Sequence, residues 1–372
     1  MKNKIIIPTI ALVVCIGIIV LIQRFNSEDK NYPKGIEWNC TETQTDSFHL
    51  SRIVNNYQLI PLELNDKSTI GNIDKIVFSD SLIFILDSQI ASGIFVFNIK
   101  DGKFIRKIGN IGNGPGEYHE LCDFSINSKE KIIYVLCEKK RLLCFSFFGE
   151  YKEVKEIPFL TTNFEYLNNK FYFINGIPHE DNLYITDTKF NVLSTYFPND
   201  EYGENRRRLI HPFQKTSNGI LYRRFLDNNI YKIDDNNNIS ILYTFNFGKK
   251  ELNIKDIKNI THSQLKNMMS QSKCHIKYFT EGKDCSIALF FDEDKPCISI
   301  YDKKKKEIFT YDYTVMKNDL MNLNFPLIEF ITPKYNFMSV LYYQDIERLI
   351  GNNILDKNIY LQDSNPILCI FQ

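Results

Sequence analysis

The stretch SLIFILDSQIASGIFVFNIKDGKFIRKI, Ser81 to Ile108, decides the fold. An apolar run is followed by a polar turn, then a second apolar run, a tight Asp101-Gly102 turn, and a third run carrying Arg106 and Lys107. β-Branched and aromatic residues broken by Asp, Asn and Gly turns are the pattern of antiparallel strands. The same order returns as KIIYVLCEKKRLLCFSFFGEYKEVKEI from Lys131, KFYFINGIPHEDNLYITDTKFNVLSTYF from Lys170 and GILYRRFLDNNIYKIDDNNNISILYTF from Gly219. A more degraded copy, CSIALFFDEDKPCISIYDKKKKEIFTYD, starts at Cys285.

Copies that start roughly 40 to 65 residues apart have the period of propeller blades. The short apolar pieces just upstream, Ile73 to Phe78, Cys122 to Ile126 and Phe164 to Leu167, supply the missing innermost strands. A sixth blade is assembled from Phe337–Tyr343 and Pro366–Phe371, closed by Tyr57–Leu64 from the other end of the chain. Such closure protects the sheet edges. The expected fold is therefore all-β, a six-bladed β-propeller with four-stranded antiparallel blades over residues 48–372. One helical insertion is expected near 250–271, where Ile254, Ile257, Ile260, Leu265 and Met268 approach helical spacing, and a short helix at Tyr343 to Ile350.

Composition agrees with this. Among 372 residues, 29 Phe and 21 Tyr against 16 Gly favour strands, and 44% apolar residues are enough for a sizeable core. Lys and Arg total 45, as do Asp and Glu, so no net field draws nucleic acid, which is not an expected partner.

Ahead of the body, Lys2 and Lys4 precede an apolar stretch from Ile5 to Ile22, ended by Gln23 and Arg24. At about 1.5 Å per residue this spans about 27 Å, enough for a bilayer core. Residues 1–25 are expected to be a retained signal anchor, one transmembrane helix with the positive end in the cytoplasm and the body periplasmic or surface-facing. The competing reading is a lipoprotein acylated at Cys15, but Val14 stands where a small residue is wanted and the apolar run continues beyond it. Residues 26–47, polar and irregular, are expected to form a stalk.

The passage KIGNIGNGPGEY, Lys107 to Tyr118, together with the blade pattern, resembles the six-bladed β-propeller family of Bacteroidetes envelope proteins, related to NHL-repeat propellers. Further passages similar to that family are Ile73-Asp74-Lys75-Ile76, Ile94-Phe95-Val96-Phe97, and Leu221 to Arg224 before Asn229-Ile230-Tyr231. The resemblance runs from Ile60-Pro61-Leu62 to Asn365-Pro366-Ile367-Leu368 and implies the fold and an envelope compartment; it brings no catalytic set. In the loop, Gly109, Gly112, Gly114, Pro115, Gly116, Glu117 and Tyr118 are expected to be structural, because a phosphate cradle would need a following helix and a strand follows instead.

Candidate chemistry is sparse. The six histidines show no metal spacing, and neither metal nor cofactor is expected. His119, near Glu117, Glu120 and Asp123, and His179, beside Glu180 and Asp181, are the catalytic candidates, though surface turns explain both. Arg206, Arg207, Arg208, His211, Arg223 and Arg224 are the strongest basic concentration, suited to a carboxylate or acidic glycan if they face the channel. No CxxC pair occurs among nine cysteines; Cys274 and Cys285 are the one pair worth testing as a disulfide. The expected function is an envelope-tethered module binding a protein, peptide or glycan, with a propeller lyase or hydrolase acting on peptide or sugar as the alternative.

Overall fold

The computed structural model describes residues 32–177, 179–199, 209–356 and 364–372. The expected membrane span at 5–22, Cys15, and Arg206, Arg207 and Arg208 lie outside the described residues. Among the described residues no helix is long and apolar enough to cross a membrane.

The first blade runs Lys75–Ser79, Leu82–Asp87, Gly93–Asn98 and Phe104–Ile108, each strand antiparallel to the one before. The second is Leu121–Asn127, Ile132–Cys137, Arg141–Ser146 and Tyr151–Glu156, and the third runs from Thr161–Leu167 to Val192–Pro198. The fourth runs from Phe213–Thr216 to Ile239–Asn246, and the fifth from Lys273–Glu281 to Glu307–Asp312. The closing blade takes Phe330–Ile331, Phe337–Leu341 and Ile367–Phe371 from one end of the chain and Tyr57–Pro61 from the other.

Strand order explains the composition of each copy. Blades pack face to face, so a middle strand such as Leu82–Asp87 is buried on both sides and reads as a continuous apolar run. The outermost strand of the second blade, Tyr151–Glu156, lies at the rim and is mostly exposed and charged. The apolar clusters accordingly lie between blades: Phe84 and Val96 of the first meet Phe124 and Val135 of the second.

Two expectations are corrected. Among the described residues seven sheets have three or more strands, not six. The additional one joins Phe48–His49, Met316–Asn318 and Leu323–Asn324. Its Phe48, Met316 and Leu323 share one apolar cluster with Ile287 and Ile298 of the fifth blade and Phe337 and Ile367 of the closing blade. Strands of two or three residues, one from a distant part of the chain, are too short for any periodicity to reveal.

Nor is all of residues 26–47 a stalk. Ile36–Asn39 pairs in parallel with the outer strand of the fourth blade, Trp38 opposite Phe245, and Gln44 bridges Tyr311 of the fifth. Trp38 is fully buried, stacked on Phe245 at 4.8 Å and donating from Nε1 to Ser299 Oγ at 2.7 Å. The segment thus crosses the fourth and fifth blades and the small sheet before entering the closing blade.

Within the 250–271 insertion the helix is His262–Met269, started by Thr261, whose hydroxyl accepts from Gln264 N while Gln264 accepts from Thr261 N. Leu265 packs it on Phe225, Leu226 and Cys274. A second helix, Tyr343–Gly351, connects two strands of the closing blade.

Candidate functional site

The inner strands of the first four blades carry an ionic cluster. Lys75 Nζ lies 3.0 Å from Asp123 and 3.2 Å from Glu165, and Lys215 Nζ lies 2.8 Å from Glu165. Ser125 donates to Glu165 and accepts from Lys215 at 3.2 Å, and Phe164 N donates to Asp123 at 2.9 Å. Burial alone would raise the Glu165 carboxyl, but Lys215 and Lys75 pull it down to about 2. Burial holds Asp123 above the ordinary aspartate range despite Lys75. Each acid and base here is already paired, so the cluster ties adjacent inner strands together.

Beside it lie two cavities that share His211, Glu329 and Phe330. One, about 290 Å³, is lined by inner-strand residues including Lys75, Glu165, Lys215 and Thr280. The other, about 390 Å³, opens at the face from which the inner strands set out. The turn before the first blade contributes Asn72 to Asp74 to it, the connection into the fourth blade Ile210 and His211, and the fifth blade Tyr278. The connection from the fifth to the closing blade contributes Tyr313, Asn318, Phe325 and Glu329; the closing blade and its helix contribute Ser339, Tyr342 and Asp345. No lysine or arginine is among the described lining residues.

The chemistry of this second cavity is distinctive. Burial raises the carboxyl of Glu329, against a hydrogen bond from Tyr278 and the charge of Lys277. Burial also raises Asp345, against a backbone hydrogen bond and Arg348. Asp74 is occupied, accepting from Ser88 N and Oγ, both at 2.7 Å, and from Asn72 Nδ2 at 2.7 Å. Asn318 and Ser339, each 1% exposed, are different: Asn318 Oδ1 accepts from Met321 N at 3.3 Å, but Asn318 Nδ2 and Ser339 Oγ have no hydrogen-bond partner. The rim carries Leu327 and Tyr342, 41% and 40% exposed.

The residues singled out from sequence are dispersed. His211 lines both cavities, its ring edge-on to Phe330 at 4.8 Å. Arg223 is buried and donates to backbone carbonyls of Ile276, of Ile210 at 2.6 Å and of His211 at 3.4 Å. Burial lowers its guanidinium to about 10, still charged at neutral pH. It pins the loop bearing His211 against the fifth blade. Arg224 is buried on Asp227 at 3.0 Å and over the Phe197 ring at 4.4 Å. Both arginines have partners within the fold, and both also line a third cavity, of about 280 Å³, together with Asn175, Asn182 and Asn199.

His119 is on the surface, its Nε2 2.7 Å from Asn113 Oδ1, and His179 lies in a loop of the third blade with φ +62°. Neither is among the residues lining the two cavities. In the glycine loop, Asn110–Ile111 pairs in parallel with Glu117–Tyr118, and Glu117 Oε2 accepts from Gly114 N at 2.7 Å. Gly112 N donates to Tyr118 O at 3.1 Å, while Pro115 occupies the turn. Gly109 and Gly116 hold φ of +69° and +78°, and a Cβ on Gly116 would meet the Tyr151 ring. Cys274 and Cys285, expected as a pair worth testing, are both buried and form no disulfide. No group of three or more potential metal ligands occurs among the described residues.

Asn318, Glu329, Ser339 and Asp345 were not legible as a site. They stand far apart in a stretch without repeat or motif, and only the closing of the propeller brings them to one cavity.

Stacked four-stranded sheets around paired inner strands, with a cavity opening at one face, define a β-propeller. Residues 35–372 match the family described as Domain of unknown function (DUF4934), and the chain belongs to that family. Its structure is similar to that of a presumed exported protein from Bacteroides fragilis, with 17% identity, a TM-score of 0.72, and 91% of this chain and 99% of that one covered. It is also similar to a member of the DUF4221 family from Bacteroides vulgatus, with 10% identity, a TM-score of 0.51, and 86% and 97% covered. At these identities the likeness is one of fold. No curated protein matches the chain.

Proposed function

We propose that this protein is an envelope-tethered binding module that takes a protein, peptide or glycan ligand at the cavity beside His211. One observation carries the reading: Asn318 and Ser339 are among the residues lining the cavity of about 390 Å³, and each holds a buried side-chain atom, Nδ2 and Oγ, without a hydrogen-bond partner. Leaving a buried polar atom unsatisfied costs about 1–3 kcal/mol, and a ligand that pairs it recovers that cost on binding. The volume falls within the roughly 300–1,000 Å³ of small-ligand sites. Tethering to the envelope is supported by the apolar run at 5–22 behind Lys2 and Lys4, and by the similarity to a presumed exported protein.

The reading is tested by thermal-shift screening of the full-length protein against neutral sugars, amines and short peptides. The comparison is a Leu327→Asp, Tyr342→Ala variant altered only at the exposed rim. A compound that raises the melting temperature of the native protein by several degrees and leaves the variant unmoved is the expected result. Hits that stabilise both equally would sink the reading. The lyase or hydrolase alternative draws on a single feature, the shared lining of His211, Glu329 and Asp345. It requires turnover of a bound hit, abolished by His211→Ala.

A further inference from the structure

We infer that the cavity takes a neutral, hydroxyl-rich ring, a glycosyl unit seated against aromatic walls. This rests on the binding-module reading and narrows its ligand.

The lining restricts the ligand from several sides. Glu329 and Asp345 contribute carboxyl oxygens with no lysine or arginine among the described lining residues. A phosphate, sulfate or carboxylate would bring negative charge against them uncompensated. A simple cation would satisfy the carboxyls, but it has no acceptor to offer Asn318 Nδ2. A hydroxyl donates and accepts at one atom, so a polyhydroxylated ring can serve Asn318 Nδ2, Ser339 Oγ and the carboxyls together. With its carboxyl raised by burial, Glu329 is closer to the neutral form that also donates.

The remaining wall is aromatic. Tyr278, Tyr313, Phe325, Phe330 and Tyr342 all line the cavity. The electron-rich face of an aromatic ring attracts the weakly positive C–H bonds on the apolar face of a sugar, while the sugar hydroxyls point outward to polar groups. Half-exposed Leu327 and Tyr342 at the rim leave room for a glycan to continue into solvent.

The test uses full-length protein in a detergent that carries no sugar. D-Glucose, D-galactose, D-mannose and N-acetyl-D-glucosamine are examined by saturation-transfer NMR and calorimetry, with 1,5-diaminopentane and a lysine-containing tripeptide in parallel. Binding of at least one sugar is expected. It should weaken tenfold or more in Asn318→Asp, which keeps the acceptor for Met321 N but removes the donor, and in the surface change Tyr342→Ala, with Tyr342→Phe restoring it. Glu329→Gln should weaken it less than tenfold. Sugar binding untouched by both Asn318→Asp and Tyr342→Ala overturns the inference. Binding of the diamine or tripeptide but of no sugar, lost in Glu329→Gln, overturns the glycan assignment and leaves the binding module standing. If none of the probes binds, the inference and the site reading fall together.

Discussion

At the scale of single residues, the charged groups near the channel behave differently from what their sequence surroundings suggest. Glu165 sits between Phe164 and Tyr166 in an apolar strand, yet it is the acceptor shared by Lys75, Lys215 and Ser125. Replacing it with Gln leaves two ammonium groups short of their partner, and removing one side of a buried pair costs about 3–5 kcal/mol. Urea denaturation of Glu165→Gln at neutral pH should show a loss of that size. The pH dependence has a definite sign. Folded Glu165 titrates near 2 and an unperturbed glutamate near 4.5, so its stabilisation is complete above 4.5 and disappears as pH falls towards 2. Asp123, raised by burial, acts in the opposite sense, so the Glu165 contribution is read from the difference between the native protein and Glu165→Gln rather than from the native slope alone. Between pH 4.5 and 2 the native protein should lose stability more steeply than Glu165→Gln, as denaturation midpoints across that window would show. Arg223 and Arg224 carry the same lesson: sequence shows two cations in a row, and only burial decides that they bind carbonyls and Asp227 within the fold.

At the scale of elements, the five repeats were readable because each middle strand is buried on both faces and each turn is marked by Asp, Asn or Gly. The elements that escaped are those held by distant partners. Ile36–Asn39 is only four residues long with Trp38 alone buried, too little for any alternation to show, and its pairing with Ile239–Asn246 spans about 200 residues of sequence. Trp38 is the anchor of this strand, touching Tyr243, Phe245, Phe279 and Tyr301. Trp38→Ala should cost about 3–5 kcal/mol through the cavity it leaves. As the chain has a single tryptophan, denaturation of this variant is best followed by circular dichroism rather than fluorescence. A cost below about 1 kcal/mol would mean that the segment is a loosely laid stalk after all.

At the scale of the whole molecule, closure joins the two ends of the described chain. Tyr57 pairs with Phe371 and Pro61 with Ile367, and Asn55 and Asn56 donate to the Gln372 carbonyl. Deleting residues 366–372 would remove a strand from the middle of the closing blade and leave two unpaired edges where there had been a continuous sheet. The truncated protein should aggregate or elute far from a compact monomer in size-exclusion chromatography; a compact monomer with a native β spectrum would refute that account of closure. The sequence by itself determined the all-β class, the repeat, most blade strands and the use of both ends in one sheet. These follow from local alternation and turn chemistry, which neighbouring residues express directly. Tertiary structure alone decided the seventh sheet, the seating of Trp38, the burial and partners of Arg223 and Arg224, and the cavity of Asn318, Glu329, Ser339 and Asp345. Burial and unmet hydrogen bonds depend on which distant surfaces meet, and that is settled only when the blades stack and the ring closes.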